Sequence, residues 1–446
     1  MIERDEVYRV RTTRRAGTLG RLLEAIGRHG AQVGEIETRK ITHDYNIRDI
    51  TVIAPSDDVI PHITESIRGV EGVELIADPV DRAFEHHRGG KLKVIPSVEV
   101  RTLQDMREIY TPGVARVSMA IHGDPSLARE LTWKRRSVAV VSDGSRVLGL
   151  GNIGPEAALP VMEGKALFYA MFADLNAVPI VLATQDPDEI VTTVRTISPG
   201  FGGIHLEDIA SPGVFDIEAR LDAALDIPVM HDDQHGTAVV VLAAVLRAAE
   251  LAGHDPADLT FAQVGLGAAG SAIALLATAF PFAQVHAYDP VPEAGARLPA
   301  LAGETPLSVV AGGPEEMRRV MDAGDVLAMT TGQAQLMDPA WVRPGQIILA
   351  LSNPVPEIDR RVALDAGAAV ATDGSIVNNV LAYPGLFKGA MDSAATSITL
   401  RMKGAAARTL ASLAPDGALL PDPLDRSVHD AVASAVAEAA REAGAP

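Results

Sequence analysis

The 446-residue chain is predicted to be an α/β protein, and three observations carry that prediction. Residues 7–77 alternate strand and helix patterns in the order βαββαβ. Near the middle, two short apolar strands each stop abruptly at a pair of carboxylates, Glu207-Asp208 and Asp232-Asp233. Further on, a strand runs straight into Gly265-Leu-Gly267-Ala-Ala-Gly270 and an alanine-rich helix. Open α/β sheets collect their chemistry where strands end, so the last two observations also say where to look for function.

Composition removes several classes. A formal charge of −19 disfavours nucleic acid or an anionic membrane surface as the main partner. With no cysteine, disulfides, thiolate zinc sites and cysteine nucleophiles are excluded. The charged start MIERDEVYRV lacks an apolar core segment, and no uncharged run reaches transmembrane length, so a cytoplasmic location is expected. Lysine is scarce, seven against 32 arginines, which makes a lysine at a site-like position more noteworthy.

In chain order, VYRVRTT alternates as a strand, and Leu19, Leu22, Leu23 and Ile26 give the following helix its apolar face. Ala31–Ile41 and Ile47–Ala54 form a strand pair, Ser56–Arg68 a second helix, and Val73–Ala77 a last strand. That order is the ferredoxin-like arrangement. The turn RRAGTLG before the first helix resembles the ligand loop of ACT regulatory domains, which bind small effectors at paired modules. A regulatory module that takes an effector and a plain assembly module are both open.

Asp81–Lys93 is polar and reads as a linker. In YTPGVARV, Tyr110 stands before Thr-Pro-Gly on a stiff turn. Ser137–Val141 is a buried strand by composition, and Arg146–Leu150 a second short one. Gly149–Gly154 matches G-x-G-x-x-G, but the proline directly after it makes a tight backbone loop the better reading. Lys165 lies in a helix continuing ALFYAMFADL, whose aliphatic neighbours are expected to desolvate the ammonium and lower its pKa towards a useful base.

The acidic pairs come next. Phe201–Leu206 and Ile227–His231 read as strands, and four acids delivered by them would repel without a counter-ion. A hard dication with oxygen ligands, Mg²⁺ or Mn²⁺, removes that problem, and is preferred to two solvated acidic turns. His231 and His235 have zinc-like spacing, but HDDQH lacks the glutamate of H-E-x-x-H. Gly236–Leu251 is then a long Ala/Val helix.

The dinucleotide signal is the run Gly265, Leu266, Gly267, Ala268, Ala269, Gly270, with Asp289 ending the next strand nineteen residues later. Strand, helix and acid in register make the Rossmann arrangement, with the pyrophosphate at the helix N-terminus and the acid on the ribose. An acid at position 289 favours NAD over NADP, with NADP left open. DVLAMTTG, QIILALSNPVPEI and GAAVATDGS read as further parallel strands. Asn353, Asn378 and Asn379 fall at their ends, where amides can contact a nicotinamide ribose or a substrate carboxylate, although turn asparagines often bond their own backbone. The tail from Ser397 is two amphipathic helices, read as packing only. The expected domains are 1–88, 89–235, 236–400 and 401–446.

From Val94 onward the motifs occur in the order found in malic enzymes, which the chain resembles: YTPGVA, SDGSRVLGLGNIG, MEGK, LED, HDDQHGTA, the later glycine run, SNPVPE and NNVLAYPG. The resemblance implies metal-dependent oxidative decarboxylation of (S)-malate to pyruvate and CO₂ with NAD(P)⁺. It implies Tyr110 and Lys165 as proton-transfer groups, Asp232 orienting Lys165, and Glu207, Asp208 and Asp233 as metal ligands. Thr237 joins the cofactor set, and Arg146, which stands where bacterial relatives often carry an alanine-like residue, holds a substrate carboxylate as in larger relatives. The ACT-like domain is not general in that family. Paired modules lead us to expect a homo-oligomer, a dimer or higher. A metal-independent amino-acid or 2-hydroxy-acid dehydrogenase is the competing enzyme, and an effector-binding protein with a relic dehydrogenase body the non-enzymatic one.

Overall fold

The computed structural model describes residues 4–147, 149–442 and 444, and the chain divides into two compact units, Met1–Lys93 and Val94–Pro446. The first unit runs β1 (Arg4–Thr13), α1 (Thr18–Gly27), β2 (Gln32–Ile41), β3 (Tyr45–Ala54), α2 (Ile60–Arg68), β4 (Val73–Leu75), β5 (Val80–Asp81) and α3 (Arg82–His87). Its antiparallel sheet has the order β2-β3-β1-β4, with β5 also on β1. Alternation in β1 sends Tyr8 and Val10 inward to meet Leu22 and Ile26 of α1 and Ile63 and Ile67 of α2. The outer face carries charge instead: Asp49 accepts from Arg9 at 2.7 and 2.8 Å and from Arg39 at 2.8 Å. The expected linker is partly ordered into β5 and α3, because Asp81 caps the helix by accepting from Phe84 N–H.

The second unit opens with α4 (Leu103–Ile109), α5 (Gly113–Gly123) and α6 (Ala128–Leu131), none of which buries a residue. The first sheet follows: β6 (Ser137–Ser142), α7 (Pro155–Ala173), β7 (Asn176–Val181), α8 (Pro187–Ile197), β8 (Gly203–Leu206), α9 (Gly213–Ala224) and β9 (Val229–His231). All four strands are parallel, in the order β7-β6-β8-β9. Among the described residues of Arg146–Leu150 the expected strand is not seen. Val147 makes one bridge to Gly151 around a turn, and Leu148 lies outside the described residues.

Helix α10 (Asp232–Leu251) leads to the second sheet: β10 (Thr260–Val264), α11 (Ala268–Ala277), β11 (Gln284–Asp289), α12 (Pro292–Gly295), β12 (Leu307–Ala311), α13 (Pro314–Ala323), β13 (Val326–Met329), β14 (Ile347–Ala350), α14 (Arg360–Asp365) and β15 (Val370–Asp373). Its strands are parallel in the order β12-β11-β10-β13-β14-β15, the doubly wound arrangement. Helices α15 (Tyr383–Asp392), α16 (Leu400–Leu413) and α17 (Arg426–Glu442) close the chain. Val239–Val245 of α10 are fully buried in one core with residues of both sheets, which makes that helix the spine of the unit. Among the described residues no helix is long and apolar enough to cross a membrane.

Candidate active site

Strands β8 and β9 are parallel neighbours in register, Leu206 opposite His231. Their carboxyl ends therefore deliver Glu207-Asp208 and Asp232-Asp233 side by side. Two local devices aim the acids. Asp208 adopts φ 54°, a left-handed conformation uncommon outside glycine, so the chain turns sharply after Glu207. Asp232 and Asp233 form the first turn of α10, four residues earlier than the helix start expected at Gly236. Carboxylates suit a helix N-terminus, where the unpaired N–H groups and the dipole favour negative charge. Gly236 is needed within that turn, because a Cβ there would overlap the Asp232 carboxylate.

One oxygen each from Glu207, Asp208 and Asp233 lie within 4.8 Å of one another. Asp208 N–H donates to Asp233 Oδ2 at 3.1 Å, and His231 Nε2 stands 3.2 Å from the same oxygen. Burial opposes ionisation of Asp233, but His231, Lys165 and the Asp208 N–H outweigh it and bring its carboxyl down to about 2. Burial pushes Glu207 up to about 7 against the pull of Lys165.

Lys165, reaching in from α7, lies 2.5 Å from Asp232 Oδ2 and 2.9 Å from Glu207 Oε1. The lowered lysine pKa expected from aliphatic neighbours is not found. Burial does lower it, but the charges of Asp232 and Glu207 outweigh burial and hold the ammonium well above its ordinary value. The aliphatic pattern of its own helix suggested the lowered value; Asp232, expected to orient Lys165, and Glu207 face it from two other elements and reverse the shift.

Sequence reasoning missed an aromatic wall. Tyr383 sets its ring 4.9 Å from Lys165 Nζ. Tyr169, one turn after Lys165, bonds His205 Nδ1 at 2.8 Å, and His205 Nε2 lies 2.6 Å from Glu207 Oε2. Burial drives His205 down to about 3, so a neutral ring accepts from the tyrosine and donates to Glu207. The i, i+4 step from Lys165 to Tyr169 and the i, i+2 step from His205 to Glu207 were the readable signals.

Tyr110 is not brought to this cluster. It caps α4, is 68% exposed, and its backbone N–H donates to Met106 O. Arg146 is exposed; its N–H donates to Asp208 O while its side chain lines the cavity of the second sheet.

That cavity, of about 490 Å³, is bordered by Gly265, Gly267, Asp289, Gly312, Gly313 and Thr330. Gly265 has φ 92°, and a Cβ on Gly270 would strike Gly265 O, so both glycines are required by the backbone. Leu266 N–H is taken by Asp289 Oδ2 at 2.8 Å, which ties the acid to the glycine loop. Ala268 and Ala269 open α11 behind Gly267. Thr237 Oγ1 donates to Asn379 Oδ1 at 3.1 Å, and Asn379 Nδ2 to Asp232 O at 3.4 Å, which joins the two halves of the site. Asn378 accepts from Val380 N–H as a local cap, and Asn353 is exposed beside Gly374.

A family model, malic enzyme N-terminal domain, matches residues 89–222. NAD-dependent malic enzyme 1 of Bacillus subtilis is 45% identical over 95% of this chain and 95% of its own. NAD-dependent malic enzyme of Geobacillus stearothermophilus is 40% identical over 94% of this chain and 91% of its own. Among solved structures, malic enzyme from Pyrococcus horikoshii superposes with TM-score 0.74 at 39% identity, covering 82% of this chain and 91% of its own.

Proposed function

The chain belongs to the malic enzyme family, and from that premise we propose that it carries out the oxidative decarboxylation of (S)-malate to pyruvate and CO₂ with NAD(P)⁺ and a divalent cation. The observation that carries this reading is the convergence of three acidic oxygens within 4.8 Å beside a buried lysine. An all-oxygen donor set suits Mg²⁺ or Mn²⁺, and Glu207, Asp208 and Asp233 are the residues that would hold it. When bound, the dication supplies Lewis acidity at the substrate oxygens, and the nicotinamide takes the hydride from C2. Formation of NADH from (S)-malate, measured with and without Mn²⁺, tests the reading directly.

The residues divide the proton work. Lys165 takes the proton of the 2-hydroxyl as the neutral amine, having first released its own proton to solvent. That state is open to it once Glu207's charge is engaged elsewhere and only Asp232 faces Nζ. Asp232, with no exposure of its own, fixes the direction of Nζ. After CO₂ leaves from C4, Tyr110 gives a proton to C3 of the enol. Arg146 and Asn378 are assigned to substrate carboxylates, Asn379 to substrate while tying α10 to the second sheet, and Asn353 to both substrate and nicotinamide ribose. Gly265, Leu266, Gly267, Ala268, Ala269, Gly270 and Thr237 are assigned to the cofactor.

Asp289 borders the cofactor cavity and sets the preference for NAD. Asp289→Asn keeps an acceptor for the Leu266 N–H but removes the charge that repels a 2′-phosphate. It is expected to raise the NADP⁺/NAD⁺ ratio of kcat/KM about tenfold. An unchanged ratio would remove Asp289 from specificity.

Tyr110 lies on helices whose apolar side chains face solvent: Leu103 is 80% exposed and Met119 65%. A second copy covering α4 and α5 is the arrangement that accounts for this surface and seats Tyr110 at a site. Mixing inactive Tyr110→Phe with inactive Lys165→Ala protein is then expected to restore part of the activity after subunit exchange. No recovery despite demonstrated exchange would place both residues in one copy. The first unit, with its βαββαβ order and Gly17 (φ 81°) opening α1, is proposed as an ACT-like module for a small effector. A cytoplasmic location completes the reading.

A further inference from the structure

Another cavity, of about 360 Å³, is lined by none of Glu207, Asp208, Asp232 and Asp233. It is enclosed by α9, α10, α11, α16 and the segment Leu298–Leu301, and shares no lining residue with the cavity at Asp289. Lys403, one of seven lysines in the chain, lines it from α16 and is only 8% exposed. Among the described residues no carboxylate comes within ion-pair distance of its Nζ, and it makes no hydrogen bond through its side chain. A buried ammonium in that state is costly to maintain. Burial lowers Lys403 to about 8, with the more distant Glu218 and Asp222 opposing the shift.

A second cation stands on the same cavity. Arg297, the first arginine after Asp289, does not reach the dinucleotide cavity. Its guanidinium lies over the Phe215 ring at 3.6 Å and has no carboxylate partner among the described residues. The nearest wall acid is already engaged: Glu218 accepts from His231 N–H at 2.8 Å, Gln234 Nε2 at 2.9 Å and His235 Nε2 at 3.2 Å. Leu275, Leu298, Leu301 and Leu400 are among the apolar residues of the lining, which also holds the polar Gln234, His235 and Ser271.

We propose that this cavity binds a small organic monocarboxylate, its carboxylate between Lys403 and Arg297 and its apolar tail against the leucines. Two unpaired cations call for an anion. Glu218 and Asp222 limit its charge to one, since a dianion would meet both acids, and the leucine wall calls for a hydrocarbon tail. Glu218 also connects the cavity to catalysis, if the reading of the active site holds. It bonds the backbone of His231, the residue before Asp232 and Asp233, and two side chains in the first turn of α10. Occupancy would therefore bear on the geometry of the acidic pair and change the KM for malate.

Hexanoate is the probe, because it has no 2-oxo or 2-hydroxy group with which to enter a malate site. Calorimetric titration of the full-length protein is expected to give saturable binding that persists in Lys165→Ala. Lys403→Met and Arg297→Leu are each expected to weaken it about tenfold or more, as loss of a charge-assisted bond does. Arg297→Leu lies at an exposed position and keeps the contact with Phe215, so it stands in if the buried substitution impairs folding. Hexanoate that does not bind, or binds both variants as tightly as the parent, overturns the proposal. So does inorganic phosphate that binds with the same sensitivity to the variants, since a charge site needs no tail. Binding that is lost in the variants but leaves malate KM unchanged overturns the coupling and keeps the site. Binding in a protein that proves unable to oxidise malate would sink the catalytic reading alone.

Discussion

Lys165→Ala is expected to reduce malate oxidation by about 10²–10⁴-fold, the range a positioned proton-transfer group supplies. The argument rests on position. Lys165 Nζ is clamped between Asp232 at 2.5 Å and Glu207 at 2.9 Å, beside the oxygens proposed to hold the dication. Tyr110→Phe is expected to lose overall activity by a similar factor while failing at a different step. It should still reduce oxaloacetate and pyruvate analogues with NADH, since hydride transfer at C2 needs Lys165 and not Tyr110. It should not protonate enolpyruvate at C3. If both variants lose every partial reaction to the same degree, the division of roles is wrong. The lysine variant carries a second signature. It leaves the Asp232 and Glu207 side chains, 0% and 4% exposed, without their cation. The metal-free variant should therefore melt below the parent, and Mn²⁺ should recover more of the difference than it adds to the parent.

Removing the divalent ion should have the second large effect. With EDTA, NADH formation from (S)-malate is expected to fall to background and to return on adding Mn²⁺. Asp233→Asn should abolish that return. A readout independent of turnover is Mn²⁺ binding followed by magnetic resonance: one site in the parent, weakened at least about 100-fold in Asp233→Asn. A metal-independent dehydrogenase would keep turning over in EDTA, and that result would remove the role assigned to Glu207, Asp208 and Asp233. Gly236→Ala offers a finer control. Its added methyl overlaps the Asp232 carboxylate, not the three ligands, so it should depress turnover more than Mn²⁺ affinity.

Much of this site was legible before any coordinates. An apolar strand that stops at two acids, or one that runs into Gly265-Leu-Gly267-Ala-Ala-Gly270, is a local pattern. Backbone periodicity and the steric freedom of glycine are properties of neighbouring residues, so the chain states them directly. The helix start at Asp232 was harder to read, since Gly236 resembled a boundary. It is in fact the residue that makes room for a carboxylate folded over the first turn.

The primary structure by itself named the residues proposed to carry the chemistry and set the two acidic pairs at strand ends. Only the tertiary structure decided that β8 and β9 are neighbours, so that the two acidic pairs meet. It alone made Lys165 a firmly held ammonium where its own helix suggested a weakened one, left Tyr110 on an exposed apolar surface, and buried Lys403 beyond ion-pair distance of any described acid. The physical reason is range. Conformational preference acts over a few residues, whereas a group's charge state and exposure depend on whatever the fold packs against it from distant parts of the chain.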